Sequence, residues 1–292
     1  MKFLTTTFLC ICLTVSTFAQ SAGDFYRRAV VEYKNKNYPA AIEEYSRAIA
    51  IDSTSAILFN NRGVCYYRMQ QYQLALQDYN NAIRLKESYA EAYYNKGNVL
   101  KDIIKYSEAL VAYDKAIFYK PDDKKFYMNR GLLRSAMQNY NGAVDDFTMA
   151  IRLKPSDAKA YCSRGTALMG MGKFQDALND FDIAIQLKPS YYTALINRGV
   201  CYTNLRNTEI AKSDFTLAAR LNPMSGEAYY YRGMATLQQM DEVNSNKKNR
   251  QNTKVIHENV FAITEACSDF EKAKNFKYPR SYEAIENFCS EN

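Results

Sequence analysis

The chain has 292 residues and a formal net charge of +7, and its 38 Lys and Arg residues are scattered along the sequence. Because these residues form no basic patch, nucleic-acid binding is not predicted. A single histidine excludes a multi-histidine metal site, and the mature chain contains no Cys-x-x-Cys pair.

Residues 1–19 are predicted to be a cleavable signal peptide. An apolar run over residues 8–15 is followed by small residues that end at Ala19, an arrangement typical of secretory leaders. The run is too short and too rich in threonine for a membrane span. A lipoprotein is the alternative, although Cys10 and Cys12 lack the small residues expected just before a lipidated cysteine.

From residue 22 onward the sequence repeats every 34 residues. Within each half of a unit, small and apolar residues recur three or four positions apart, which predicts two helices per unit. One column is glycine in six units, and two alanine columns and one aromatic column accompany it. We expect the two helices to approach closely at the glycine, so a bulky residue at Gly131 should overpack the contact. The complete units span 22–55, 56–89, 90–123, 124–157, 158–191 and 192–225.

A seventh unit is interrupted. It begins with Tyr229 and Gly233, and residues 241–260 then form an insertion rich in Asn, Lys and Gln. We expect this insertion to be a solvated loop between paired helices, and a partner-binding loop is the alternative. A final amphipathic segment, 281–289, predicts a helix that caps the last repeat.

These motifs resemble the tetratricopeptide repeat (TPR) family. The aromatic–Gly–Tyr and Ala–aromatic–Ala motifs and the proline that closes four units carry the resemblance over about residues 22–278. It implies an all-α fold for residues 20–292: a right-handed superhelical solenoid of antiparallel helix pairs, with seven repeats and a C-terminal capping helix. Neighbouring repeats would supply each other's core, and the first helices would line a concave groove.

A basic residue occurs once per repeat, and in most repeats an acid follows it sixteen residues later. Only the third repeat lacks the acid, with Ala112, and only that repeat carries Lys96 instead of Arg. This covariation predicts a structural ion pair between the two helices of a repeat; an anion-binding stripe is the alternative. The predicted pairs are Arg62–Asp78, Arg130–Asp146, Arg164–Asp180 and Arg198–Asp214, with Arg28–Glu44 and Arg232–Asp269 at the two ends.

An asparagine precedes the basic residue in four repeats, at Asn61, Asn95, Asn129 and Asn197. It lies about 100° round the helix from that residue, so we assign it to the concave face. A carboxamide both donates and accepts, and can therefore pair with a peptide backbone. The column resembles the asparagine ladders of TPR and armadillo proteins that hold extended peptides; the alternative is a merely tolerated groove residue. Neighbouring groove positions are Tyr67, Tyr94, Asn98 and Tyr230.

Asn95 and Asn98, with Lys125 or Lys159, partly imitate the basic clamp with which some members of the family bind a terminal carboxylate. The matching basic residue is missing, so we do not transfer that specificity. Cys267 occupies a position that should pack on the capping helix, which ends near Cys289. In an oxidising compartment this predicts a Cys267–Cys289 disulfide, and buried free thiols at Cys65, Cys162 and Cys201.

No enzymatic motif emerges, and no cofactor or metal is predicted. We therefore predict a secreted or periplasmic, non-catalytic scaffold that binds an extended peptide or a partner protein in its groove. The first alternative is a structural subunit of an envelope assembly that docks through its edges and the insertion. The second is a glycan-binding module that uses groove tyrosines as stacking platforms.

Overall fold

The computed structural model describes residues 21–246 and 253–289, and the predicted signal peptide lies outside these ranges. The described residues form fifteen α-helices and no strand, which confirms the all-α prediction. Contacts divide the chain between Tyr119 and Lys120 into two compact units.

The first unit contains six helices in three hairpins, and within this unit the second helix of each of the first two hairpins packs on the first helix of the next. Its helices are α1 (Ala22–Lys34), α2 (Tyr38–Ile51), α3 (Ala56–Arg68), α4 (Tyr72–Leu85), α5 (Ala90–Asp102) and α6 (Tyr106–Tyr119).

The second unit continues the same pattern over four hairpins and one additional helix. Its helices are α7 (Lys124–Ala136), α8 (Tyr140–Leu153), α9 (Ala158–Gly170), α10 (Phe174–Leu187), α11 (Tyr192–Asn204), α12 (Thr208–Leu221), α13 (Gly226–Asn246), α14 (Thr253–Asn275) and α15 (Arg280–Phe288).

The hairpins close because a glycine on the first helix meets an aromatic ring on the second. A Cβ atom built on Gly63 would lie 2.8 Å from Cε1 of Tyr79, and one on Gly199 would lie 2.6 Å from Cε1 of Phe215. Real Cβ atoms do not come so close, so any side chain here must push the ring or the helix away. The alanines beside these rings, such as Ala75 and Ala211, are fully buried.

The turn between paired helices contains one residue in the left-handed backbone region. Gly172 takes this conformation with φ +73°, and no atom crowds the space where a Cβ would lie. Left-handed residues end α-helices by redirecting the chain after the last turn. In five other hairpins a non-glycine residue takes a positive φ of 59° to 65°: Lys36, Gln70, Ile104, Gln138 and Arg206.

The expectation of a loop across residues 241–260 was wrong for the described part of the insertion. Residues 241–246 extend α13, and residues 253–260 belong to α14. These two helices have 21 and 23 residues, compared with 13 and 14 in the preceding pairs. The insertion contains no glycine or proline, so no helix-breaking residue stops α13 or α14 at the length of the other repeat helices.

The last described helix, α15, packs against α14 through Ala284 and Phe270. Ser281 is fully buried in its first turn and donates to the carbonyl of Tyr278 at 2.6 Å. A disulfide joins Cys267 of α14 to Cys289, the residue that follows α15, with a Cα–Cα distance of 5.8 Å. The covalent link attaches the final helix to the last hairpin.

Candidate functional site

Guanidinium–carboxylate pairs join the two helices of the repeats. Arg62 on α3 donates through Nε and Nη2 to the two carboxylate oxygens of Asp78 on α4, both at 2.8 Å. Asp78 is only 3% exposed, so the bidentate pair is largely shielded from water. Equivalent contacts are Arg28–Glu44, Arg130–Asp146, Arg164–Asp180, Arg198–Asp214 and Arg232–Asp269.

Pairing raises the pKa of four of these arginines: Arg62, Arg164, Arg198 and Arg232. Hydrogen bonds to Asp78 raise the pKa of the Arg62 guanidinium, and burial opposes this only in part. Hydrogen bonds to Asp180 raise the pKa of Arg164 in the same way. Because these cations are engaged by internal carboxylates, their role in the structure is to hold the hairpins together.

Four of these arginines (Arg62, Arg164, Arg198 and Arg232) also reach back to the preceding hairpin, a contact that the sequence analysis missed. Arg62 Nη1 donates to Ser46 Oγ at 2.9 Å, and Arg164 Nη1 donates to Thr148 Oγ1 at 3.1 Å. The arginine therefore bridges neighbouring repeats as well as its own two helices. A sequence signal existed, because the position sixteen residues before each basic residue is polar throughout: Ser46, Asn80, Asp114, Thr148, Asp182 and Thr216.

The third repeat keeps only half of this arrangement. Lys96 Nζ donates to Asn80 Oδ1 at 2.8 Å, which preserves the contact with the preceding hairpin. Ala112 offers no carboxylate, and a cleft of about 240 Å³ lies between α5 and α6, lined in part by Lys96, Leu100 and Ala112.

The predicted asparagines lie half-buried on first helices: Asn61 on α3, Asn95 on α5, Asn129 on α7 and Asn197 on α11. In the first unit they belong to a chain of amides. Asn95 Nδ2 donates to Asn60 Oδ1 at 3.0 Å, and Asn60 Nδ2 donates to Asn61 Oδ1 at 3.1 Å. Asn61 in turn hydrogen-bonds the Tyr45 hydroxyl. The amides are thus oriented by neighbours in adjacent hairpins.

Asn60 is a member of this chain that the sequence analysis missed. It is buried, at a position where the other repeats carry Tyr, Met, Cys or Ile. A polar residue in an otherwise apolar or aromatic column was the available signal. In the second unit a hydroxyl takes the place of the Asn60 amide as acceptor. Asn197 Nδ2 donates to Thr166 Oγ1 of the preceding first helix at 3.0 Å.

The amide chain leaves one buried hydroxyl without a partner. Tyr79 is fully buried, and its hydroxyl makes no hydrogen bond within the described part of the chain. Tyr45, one repeat earlier, is bonded by Asn61. The equivalent partner for Tyr79 is Asn95, which donates to Asn60 instead. Burial raises the pKa of the Tyr79 hydroxyl, so this group stays protonated at neutral pH.

The predicted tyrosines differ in how their hydroxyl groups and rings are used. Tyr67 donates to Asp102 Oδ2 on the next first helix at 2.6 Å, and burial is the largest cause of its raised pKa. The Tyr94 ring lies against Tyr113, with ring centroids 6.0 Å apart, and the Tyr113 hydroxyl donates to Asn98 Oδ1 at 2.8 Å.

In the second unit, Tyr230 is half-buried on α13 among aromatic neighbours. Its ring centroid lies 5.9 Å from that of Phe270 and 5.1 Å from that of Tyr278. Tyr230 is therefore part of the packing between the last hairpin and the chain that follows it.

A concave feature accompanies the asparagine face in the first unit. A cleft of about 230 Å³ is lined by Val30, Tyr33, Tyr45, Asn61 and Val64, which belong to α1, α2 and α3. It combines apolar walls with the Asn61 amide and a tyrosine hydroxyl. Mostly apolar walls with a few polar groups are typical of sites that bind a ligand side chain.

Family models agree with the repeats. The model described as "Tetratricopeptide repeat" matches residues 56–89 and 158–191, and a second with the same description matches 90–123 and 192–223. A model described as "TPR repeat" matches residues 30–70. Together these matches extend over more than half of the chain.

The chain belongs to the tetratricopeptide repeat family. Among solved structures, this TPR protein is similar to YrrB, described as a TPR protein with an unusual peptide-binding site, at 26% identity and a TM-score of 0.57. The alignment covers 63% of this chain and 95% of YrrB. No match was found among curated proteins.

Two further similarities concern the fold alone. The C-terminal part of a TPR repeat-containing protein from Cytophaga hutchinsonii is 19% identical with a TM-score of 0.66, covering 89% of this chain and 99% of that one. Pseudomonas aeruginosa pilF is 19% identical with a TM-score of 0.63, covering 73% and 97%. The family supports a protein-interaction scaffold, since TPR proteins bind protein or peptide partners.

Three further cysteines in the described part of this TPR protein are internal. Cys65, Cys162 and Cys201 are buried free thiols, and burial raises their pKa to about 12, 11 and 12. Within residues 21–246 and 253–289, no group of three or more His, Cys, Asp or Glu side chains could hold a metal ion. In the same ranges no helix is both long and apolar enough to cross a bilayer.

Proposed function

We propose that this TPR protein is a non-catalytic scaffold that binds an extended peptide, or an extended segment of a partner protein, on the asparagine face of its first helices. The observation that carries the proposal is the amide chain: Asn61 and Asn95 are half-exposed and are held in orientation by Asn60. An oriented carboxamide meets a peptide group without first losing its own rotational freedom.

The remaining capacity of these amides favours a peptide ligand. Each carboxamide has two donor hydrogens and two acceptor lone pairs, and Asn95 uses one donor on Asn60. A hydrogen bond contributes roughly 0.5–1.5 kcal/mol net, whereas association costs on the order of 4–15 kcal/mol. The asparagines would therefore set the register of the bound peptide, and apolar contacts would have to supply most of the affinity.

Each unit offers its own set of side chains for this purpose. In the first unit, Asn61 and Asn95 are accompanied by Tyr67, Tyr94 and Asn98, and by the cleft beside Tyr45. In the second unit, Asn129 and Asn197 are accompanied by Tyr230. The peptide-binding site in the description of YrrB supports this class of ligand for a related repeat array.

The compartment forms part of the proposal. We infer a periplasmic or secreted protein that begins at about residue 20, on the basis of the leader-like sequence and the Cys267–Cys289 disulfide. Disulfides persist in oxidising compartments and are rare in the cytosol.

A structural subunit that docks through its outer surface is the second candidate. The feature in its favour is Phe261, which is 72% exposed on the extended part of α14. Such a protein would bind through α14 and would not need the asparagines.

A phage-displayed library of linear peptides, panned against the mature protein, distinguishes the two candidates. Peptides that bind are then titrated against the variants Asn61→Ala/Asn95→Ala and Asn129→Ala/Asn197→Ala. The matched controls are Asn141→Ala and Asn179→Ala, which remove exposed asparagines from second helices.

The proposal predicts that at least one double variant weakens peptide binding about tenfold or more, equivalent to about 1.4 kcal/mol, while both controls bind normally. Thermal melts of every variant verify that the fold is retained. Unchanged affinity in both double variants would rule out the asparagine face, and loss of partner capture only on Phe261→Glu would favour the docking subunit.

A further inference from the structure

The outer face of α6, in the third repeat, is apolar where the other repeats are polar. Val111 and Phe118 are 62% and 75% exposed, and Ile104, in the turn before α6, is 72% exposed. Val111 and Phe118 lie seven residues apart, so they lie about 20° apart round the helix and about 10 Å apart along it. They form one apolar line along the exposed side of the helix.

The internal repeats make this face exceptional within the chain. Where the third repeat carries Val111, the other complete units carry Glu43, Gln77, Asp145, Asn179 and Ser213. Where it carries Phe118, they carry Ala50, Arg84, Arg152, Gln186 and Arg220. The cleft left by Ala112 opens beside Val111 and adds a concave apolar border. Exposed apolar side chains that break a polar pattern mark interaction surfaces.

Charges flank the apolar line in a particular order. Glu108 and Lys115 are exposed and lie on the same side of it, one before and one after Val111. Glu108 also pairs with the exposed Lys105 of its own chain at 3.0 Å, and an exposed pair of this kind is weak enough for a second copy to compete with it. Lys115 Nζ lies 5.9 Å from the centroid of the Phe118 ring. When a second, identical helix is turned end over end about Val111, its positive charge lies where the first helix has its negative charge, and the reverse. The face is therefore complementary to itself.

We propose that this face binds the same face of a second copy of the chain, with the two α6 helices antiparallel and Val111 at the two-fold axis. In this arrangement Glu108 faces Lys115 of the second copy, and Lys115 faces its Glu108. Phe118 lies seven residues after the axis and Ile104 seven before it, so each Phe118 approaches the opposite Ile104. Such isologous contacts are the commonest way in which identical chains pair.

A second copy fits this face better than a different protein, because the chain itself supplies the complementary charges in the required order. A single pair of helices buries little surface, at the low end of specific interfaces. The expected dimer is therefore reversible, with dissociation in roughly the micromolar range or weaker. The asparagine face lies on first helices and takes no part in this contact.

A reciprocal charge exchange tests the proposal. Glu108→Lys gives a chain with two positive charges on the face, and Lys115→Glu gives one with two negative charges. Each variant alone places like charges opposite one another, whereas a mixture of the two restores both attractive pairs. The mass of the mature chain, of each variant and of their equimolar mixture is measured by sedimentation equilibrium, at a series of protein concentrations up to about 1 mM.

The expected result is a wild-type dimer, a dimer dissociation constant at least about tenfold weaker for each variant alone, and recovery of the dimer in the mixture. Phe118→Arg, which introduces the residue found at Arg84 and Arg152, should also give monomers. Leu74→Glu, at an exposed apolar residue of α4, should leave the dimer intact. A wild-type protein that is monomeric throughout, or a mixture no more dimeric than its components, would overturn the proposal.

Discussion

Removing Arg164 should be one of the most destabilising single changes on a polar side chain in this protein. Arg164 donates to Asp180 at 2.8 and 2.7 Å and to Thr148 at 3.1 Å. Asp180 is only 3% exposed. The variant Arg164→Met keeps the aliphatic part of the side chain and leaves that carboxylate buried without a cation.

The size of the effect follows from the burial of the carboxylate. Breaking a buried ion pair by removing one partner costs about 3–5 kcal/mol. We therefore expect Arg164→Met to lower the free energy of unfolding by about 3–5 kcal/mol at pH 7.

The two partners of the ion pair should also show energetic coupling, because each acts on stability through the other. In the double variant Arg164→Met/Asp180→Asn the loss should be smaller than the sum of the single losses, by about 1–3 kcal/mol.

Urea unfolding followed by circular dichroism measures these differences, and hydrogen exchange in α9 and α10 provides a local readout. Arg27→Met is the matched control, because the Arg27–Asp24 pair has side chains that are 73% and 39% exposed, and it should change stability by less than about 1 kcal/mol. An Arg164→Met variant no less stable than this control would refute the argument that the column holds the hairpins together.

Three further predictions concern packing and cysteine chemistry. Gly131→Ala should destabilise by about 1–3 kcal/mol, because its Cβ would lie 2.8 Å from Phe147; thermal melts should show no such loss for Gly23→Ala, whose nearest contact is 3.5 Å. Cys267→Ser should lower stability by roughly 3 kcal/mol, and in denaturant the wild-type mature chain should titrate three free thiols, whereas five would exclude the disulfide. Burial raises the pKa of each free thiol above its value in the unfolded chain. The neutral thiols therefore contribute fully to the free energy of unfolding below about pH 8.5. This contribution is lost as the pH rises towards 11 to 12, because the unfolded chain ionises first. The free energy of unfolding should therefore decline less between pH 8 and pH 11 when alanine replaces Cys65, Cys162 and Cys201.

The repeated columns made much of the architecture predictable. Gly131 and Phe147 recur in register, so the close approach of paired helices follows from the sequence before any coordinates are known. Arg164 and Asp180 were also predictable as partners, because the acid disappears only in the repeat where the basic residue changes to lysine. Internal covariation of this kind carries spatial information in a single chain.

The orientation of the asparagines was less predictable. Which group a carboxamide bonds depends on its rotamer and on residues of the neighbouring repeat, such as Asn60 beside Asn95. The same dependence leaves Tyr79 without a partner although Tyr45 has one. The column alone therefore indicated a face of the helix, and the hydrogen bonds within that face required the coordinates.

The extended last hairpin escaped prediction for a different reason. Residues 241–260 are polar and break the repeat, and both properties are typical of loops. Helices end at glycine, proline or a capping residue rather than at a polar composition, and this segment lacks the first two. Without them α13 and α14 continue past the length of the repeat.

Site-specific photocrosslinking to a selected peptide tests whether an extended peptide binds on the asparagine face. The photoreactive residue benzoylphenylalanine is placed at Val64, on the asparagine face, or at Gln77, on the exposed side of α4. The peptide is one enriched by panning against the mature protein. Strong crosslinking is expected from position 64 and little from position 77. Equal labelling at both positions, or labelling at position 77 alone, would contradict peptide binding on the asparagine face.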